Sequence, residues 1–140
     1  MTSTNPKVSV IILSFNQSEY IDEAIKSVLN QTYQNLEIII SDNGSTDSTQ
    51  EIILSYMNDP RIIFLDHKEN LSISLRQNQA ANIATGEFIS LLYADDYYLP
   101  SKIEHQVKKF IFHGYSKKYR LAFTKNIFIE WEFNARLSSD

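Results

Sequence analysis

Residues 8–42, VSVIILSFNQSEYIDEAIKSVLNQTYQNLEIIISD, decide the fold. Val8 to Leu13 is a short apolar run, rich in β-branched residues and bounded by polar ones, and it predicts a strand buried on both faces. Ile21, Ala24, Ile25, Val28 and Leu29 then follow the three-and-four spacing of one helical stripe, with Ser18 as the expected N-cap. Leu36 to Ile40 is a second apolar run of strand length. Two mainly apolar strands around a helix point to a parallel sheet, because parallel neighbours need a crossover connection and hide both faces.

The same unit recurs downstream. Ser41 to Thr46 reads as a turn around Gly44. Ile52, Ile53, Tyr56 and Met57 form a stripe that stops before Pro60, and Ile62 to Leu65 is a third strand. Ile73, Gln77, Ala80, Ala81 and Ala84 give a weaker helical face, with Gly86 as the expected C-terminal cap. Phe88 to Leu92 is a fourth strand running into Tyr93-Ala94-Asp95-Asp96. Ile103, Val107, Phe110 and Ile111 make the last stripe, with Pro100 where a helix's first turn tolerates it. The expected class is α/β, a mainly parallel sheet with helices on both faces.

Composition narrows the function. The chain has 140 residues, 43% hydrophobic and 21% charged, enough for one domain and a sizeable core. A net charge of −4 argues against a nucleic-acid-binding surface. Residues 1–112 hold 8 basic and 14 acidic side chains, whereas residues 113–140 hold 5 and 3, so the chain changes character near its end. The absence of cysteine excludes a disulfide scaffold and a thiolate zinc site. No apolar run approaches the roughly 18 residues of a membrane span, and the polar start lacks a signal peptide's apolar core, so the expected location is cytoplasmic.

In open α/β sheets ligands bind beyond the carboxyl ends of the strands, where strand order reverses. Here those positions hold Ser14, Phe15 and Asn16, then Asp42 and Asn43, then Asp66 and His67, then Tyr93, Asp95 and Asp96. One rim of the sheet is therefore expected to be a carboxylate-bearing cleft. Adjacent Asp95 and Asp96 repel each other, and a hard divalent cation with oxygen ligands would relieve this. Capping of the helix near Pro100 accounts for the pair equally well. Asp42 to Asp47 is a tight turn with Ser45 or Asp47 as cap, and Asp42 and Asn43 also offer acceptors for a nucleobase edge. Neither glycine-rich phosphate cradle occurs, so an anionic ligand would lean on a metal or on Arg76. By residue type alone, Phe15 is more often core than a stacking platform, and Arg76 a solvent-facing helix arginine. His67, His105 and His113 show no ligand spacing, and Tyr97, Tyr98 and Trp131 suggest no chemistry unaided.

Together these pieces resemble the N-terminal, nucleotide-sugar-binding half of a family 2 glycosyltransferase of the GT-A fold. Val8 to Asn16 looks like that family's first strand with its S-[YF]-N ending. Ser27 to Tyr33 looks like S-x-x-x-Q-[TS]-Y, and Glu37 to Asp47 like E-[IL]-[IV]-x-[IV]-D-[DN]-G-S-x-D. Asn78 with Gly86-Glu87-Phe88-Ile89 matches N-x7-G-E-[YF]-I, and Ala94-Asp95-Asp96 with Leu99-Pro100 matches the D-x-D-D region and its following proline. The likeness runs over about residues 7–112.

The resemblance implies a Rossmann-like GT-A half-domain over residues 1–112. It also implies an enzyme that moves a sugar, with inversion, from a nucleoside diphosphate donor, a UDP-sugar first, to an unknown glycan, lipid or protein acceptor. The product would be a glycan or cell-surface polysaccharide. A lipid-carrier acceptor would place the protein at the edge of a membrane. By position, Ser14, Phe15 and Asn16 would lie at the donor, Phe15 against the base, Asn43 on the base edge with Asp42 beside it, and Arg76 near the phosphates. Asp95 would bind Mn2+ or Mg2+, with Asp96 supporting the metal or the sugar. Two departures stand out. Tyr93 replaces the first Asp of D-x-D, and no general base is identifiable, since no motif surrounds Glu130 or Glu132. Family members continue for roughly a further domain's length. Residues 113–140 are therefore expected to be a divergent tail from a truncated or frameshifted reading frame. The alternative is a catalytically incomplete nucleotide-binding fragment or accessory module. A receiver-type signalling domain ranks last, because it wants its acidic pair after the first strand.

Overall fold

The computed structural model describes residues 3–113, 126–127 and 132–133. Most of the tail expected over 113–140 therefore lies outside the described residues. Four strands, β1 (Val8–Ser14), β2 (Leu36–Asp42), β3 (Ile62–Asp66) and β4 (Phe88–Tyr93), form one sheet in the order β3-β2-β1-β4, every pair parallel. Helices α1 (Ile21–Leu29), α2 (Thr49–Leu54) and α3 (Ile73–Ile83) connect them, and α4 (Lys102–His113) follows β4. Two two-residue strands, β5 (Asn126–Ile127) and β6 (Glu132–Phe133), pair antiparallel with each other.

Strand alternation divides the core in two. Val8, Val10 and Ile12 of β1 and Leu36, Ile38 and Ile40 of β2 face α1, α2 and α4, and meet Ile25, Ile53 and Ile103. Ile11, Leu13 and Ile39 face the other way, under Ala80 of α3. Every residue of β1 and β2 is buried, which is why both runs are mainly apolar, and the polar Ser9 and Glu37 inside them bond to each other at 2.5 Å. Each fully buried isoleucine stabilises the fold by about 1.5–3 kcal/mol relative to exposure. Because α3 lies over β1 and β2, the β4 residues on that face, Ile89, Leu91 and Tyr93, stay exposed.

Several local expectations are corrected. Ser18 does not cap α1. The N-cap is Tyr20, without a side-chain bond, and the Ser18 amide donates to Asp47 Oδ2 at 3.2 Å. Asp47 does accept the Thr49 amide at α2's start, whereas Ser45 turns to Asp42. Hydrogen bonding against burial holds the Asp47 carboxyl at about 2. α2 ends at Leu54, and the chain tightens into i→i+3 turns through Tyr56 and Met57 before Pro60. In α3, Ile73 points outward and Arg76 takes the inward place. Gly86 is no helix cap, since α3 closes on extended Ala84. A Cβ on Gly86 would lie 2.6 Å from the Ser9 amide nitrogen, so glycine lets β4 enter the sheet against β1.

Candidate functional site

β1 is the strand at which the order reverses, with β2 on one side and β4 on the other. Beyond its carboxyl end lies a cleft of about 640 Å3, a size suited to a small-molecule ligand. Leu13, Ser41 and Tyr93 stand at matched register, so one face of three strands supplies its floor. Ile73 and Arg76 of α3 form the opposite wall. Ser14, Phe15, Gln17 and Asn43 come from the ends of β1 and β2, and Ala94, Asp95 and Asp96 from the end of β4.

The anticipated residues divide into those that line the cleft and those that build it. Asp42 is wholly buried. Its Oδ1 accepts Ser14 Oγ at 2.8 Å and Ser45 Oγ at 2.5 Å. Its Oδ2 accepts the Ser45 amide and Gln50 Nε2, each at 2.9 Å. That carboxylate is a hub joining three segments, and it does not line the cleft. Asn16 likewise stands outside the lining. Its φ of 50° is the left-handed conformation that asparagine tolerates, and its Oδ1 accepts the Thr46 amide at 2.8 Å. Gly44, at φ 79°, completes the turn, and a Cβ there would come within 3.0 Å of the Glu69 carbonyl carbon.

Asn43 and Arg76 form the cleft's inner wall. Asn43 Oδ1 accepts both the Leu71 amide at 2.9 Å and Arg76 Nε at 2.8 Å, and its Nδ2 donates to Leu71 O at 2.8 Å. The amide is thus spent on the loop before α3, and a bond to a base edge would have to replace one of these. Arg76 is 5% exposed, against the solvent-facing position its residue type suggests. Its other nitrogens donate to Gln79 Oε1 and Glu69 O. Among the described residues no carboxylate forms an ion pair with it, so neutral dipoles alone balance a buried cation. Phe15 is 41% exposed at the lip of the cleft, outside the core that its residue type suggests.

The acidic side is formed by the β4 loop. The Ala94 amide donates to Leu13 O at 3.0 Å and the Asp96 amide to Tyr93 O at 2.9 Å, which fixes the turn carrying both carboxylates. Tyr97 to Ser101 separate the pair from α4, so helix capping does not explain it. Among the described residues neither carboxylate accepts a hydrogen bond or joins an ion pair. Burial, and then the charge of Asp95, hold the Asp96 carboxyl above its ordinary value. Two hard oxygen donors with uncancelled repulsion fit a divalent cation. Among the described residues no cluster of three or more His, Cys, Asp or Glu completes a cage, so such an ion would need ligand oxygens and water.

Sequence reasoning missed part of the lining. Gln17 and Ile73 gave no chemical signal, but Leu13 and Ser41 could have been found from strand parity, as neighbours of Tyr93 on one face. His67, which the sequence placed at the rim, brings Nε2 to 3.2 Å from Ser41 Oγ. Burial, and then the Arg76 charge, hold that imidazole below its usual range.

The profile described as "Glycosyl transferase family 2" matches residues 9–119. The chain belongs to this family. Among curated relatives of this family 2 chain, the UDP-Glc:alpha-D-GlcNAc-diphosphoundecaprenol beta-1,3-glucosyltransferase WfaP of Escherichia coli is 38% identical over 116 residues. That match takes in 80% of this chain and 46% of WfaP. Among solved structures, Staphylococcus aureus TarS 1-349 in complex with UDP-GlcNAc superposes with a TM-score of 0.70 at 27% identity, over 76% of this chain and 32% of TarS. The mannosyltransferase PcManGT of Pyrobaculum calidifontis, in complex with GDP-Man and Mn2+, shares the fold with a TM-score of 0.71 at 24% identity, over 77% and 33%. The expected GT-A architecture is therefore observed. The chain spans less than half the length of the curated relatives it matches.

Proposed function

We propose that this chain is the donor-binding part of an inverting glycosyltransferase that uses a UDP-sugar and serves glycan or cell-surface polysaccharide synthesis. One observation carries the reading. A single cleft holds a guanidinium, Arg76, without a counterion among the described residues, and two carboxylates, Asp95 and Asp96, without a partner among them. A nucleoside diphosphate bound with Mn2+ or Mg2+ supplies both missing charges, phosphate oxygen for the fork and cation for the carboxylates. Phe15 gives a face on which a base can stack, and Asn43 orients Arg76. The name of WfaP and the UDP-GlcNAc complex of TarS support uridine as the base.

Asp95 would hold the ion, with Asp96 beside it, and the ion would neutralise charge building on the departing diphosphate. In the transfer the bond from the anomeric carbon to the diphosphate breaks while an acceptor oxygen bonds to the opposite face. The acceptor's proton passes to a general base. No helix among the described residues is long and apolar enough to cross a membrane. A lipid-linked acceptor, as in the name of WfaP, would place the reaction at the cytoplasmic membrane surface.

Thermal melting tests the donor site. UDP with Mn2+ is expected to raise the melting temperature, since a ligand selective for the folded state stabilises it, and Asp95→Ala to abolish the gain. If UDP, GDP and dTDP all leave melting unchanged with Mn2+ present, the reading fails.

A further inference from the structure

A second cavity, of about 420 Å3, lies between α1 and the Tyr97–Pro100 segment. It shares no lining residue with the donor cleft, yet the stretch from Asp95 to Pro100 runs from one to the other. Its walls are fixed. Gln31, 1% exposed, donates from Nε2 to Leu99 O at 2.7 Å and accepts the Ile103 amide at 3.1 Å. The Thr32 amide donates to Pro100 O at 2.8 Å, and the Tyr98 amide to Ser27 Oγ at 3.0 Å. Four bonds thus stitch this segment and the start of α4 to α1 and its carboxyl end. The groove is preformed, so little ordering opposes a ligand.

Its chemistry is specific. Tyr97, 39% exposed, and Pro100 offer apolar faces. Among the described residues, the Glu23 carboxylate and the Asn30 side-chain amide make no hydrogen bond, so both face the groove with capacity unspent. Asp22 and Lys26 satisfy each other at 2.6 Å. The three charged side chains carry one net negative charge, which disfavours a phosphorylated ligand. What suits an aromatic face flanked by a planar carboxylate and a planar amide is a ring with an apolar C–H face and adjacent hydroxyls. The volume falls in the range of small-molecule sites.

We propose that this groove binds an uncharged saccharide, one or two hexose units, with a ring face on Tyr97 and hydroxyls on Glu23 and Asn30. That it receives a sugar of the acceptor distant from the reacting one rests on the glycosyltransferase reading; the binding itself does not.

Backbone amide NMR of the full chain, titrated with maltose, lactose and N,N′-diacetylchitobiose at millimolar concentration, tests it. At least one sugar is expected to shift the Asn30 and Tyr97 amides. Tyr97→Ala and Glu23→Gln, both of exposed side chains, are each expected to weaken binding about fivefold or more without changing the melting temperature. The proposal is overturned if no sugar moves those amides, or if both variants bind as the parent does. UDP with Mg2+ titrated into the same sample reports separately at Phe15 and Arg76, so failure at one cavity is told apart from failure at the other.

Discussion

Arg76 donates from Nε to Asn43 Oδ1 at 2.8 Å, and the same oxygen accepts the Leu71 amide at 2.9 Å. Through this one atom, the end of β2 positions the first turn of α3 and the loop before it. Asn43→Ala would leave a buried guanidinium nitrogen and a backbone amide without their acceptor. We expect a stability loss of about 1–3 kcal/mol in chemical denaturation and no UDP-induced rise in melting. Arg76→Lys keeps the charge but not the planar fork. It should retain the fold and bind UDP more weakly by calorimetry.

Asp96 gives a pH signature of opposite sign to the usual carboxylate. Its folded value is raised from 3.8, by burial first and then by Asp95, so its ionised form opposes folding. Stability should therefore decline as pH rises from about the ordinary carboxyl value through the raised one. Asp96→Asn is expected to melt higher than the parent at neutral pH, and the gap should close below that window. A gap independent of pH would refute the electrostatic account.

Glu37 predicts the reverse at the far end of the sheet. Burial would raise its carboxyl, but bonds from Ser9 and from the Thr85 amide and hydroxyl hold it below its ordinary 4.5. The stability it contributes is complete above that value and is lost as pH falls through the lowered one. Glu37→Gln should cost about 1–3 kcal/mol at neutral pH and flatten the acid limb of the stability profile.

Gly86→Ala tests close backbone approach in isolation. The new Cβ would meet Ser9 nitrogen and Oγ at 2.6 Å and Lys7 O at 2.9 Å, so β4 must shift. Overpacking of this kind is expected to cost about 1–3 kcal/mol in urea denaturation, with the UDP response reduced because β4 carries the Asp95 loop.

The strand runs were legible in the sequence, because a parallel strand buried on both faces is mainly apolar along its length, Ser9 and Glu37 being internal exceptions that bond to each other. Helix ends were less legible. The residues expected as caps at Ser18 and Gly86 act through contacts that are distant in sequence: Ser18 with Asp47, and Gly86 with Ser9. Gln31 matched a motif with no chemistry attached, and only the folded chain shows why it stands there, holding Leu99 and Ile103.

By itself the sequence determined the α/β class, the four strands and the edge at which polar residues gather, because periodicity and strand length are local properties of the chain. Tertiary structure decided which of those polar residues line the cleft. Asp42 was buried as a tie between loops, Asn16 stayed exposed but bonded to Thr46, Asn43 was spent on Leu71, and, among the described residues, Arg76 was buried without a counterion while Asp95 and Asp96 were left without partners. The reason is physical. A polar side chain's role depends on which donors and acceptors come within about 3 Å of it, and those neighbours come from segments tens of residues away.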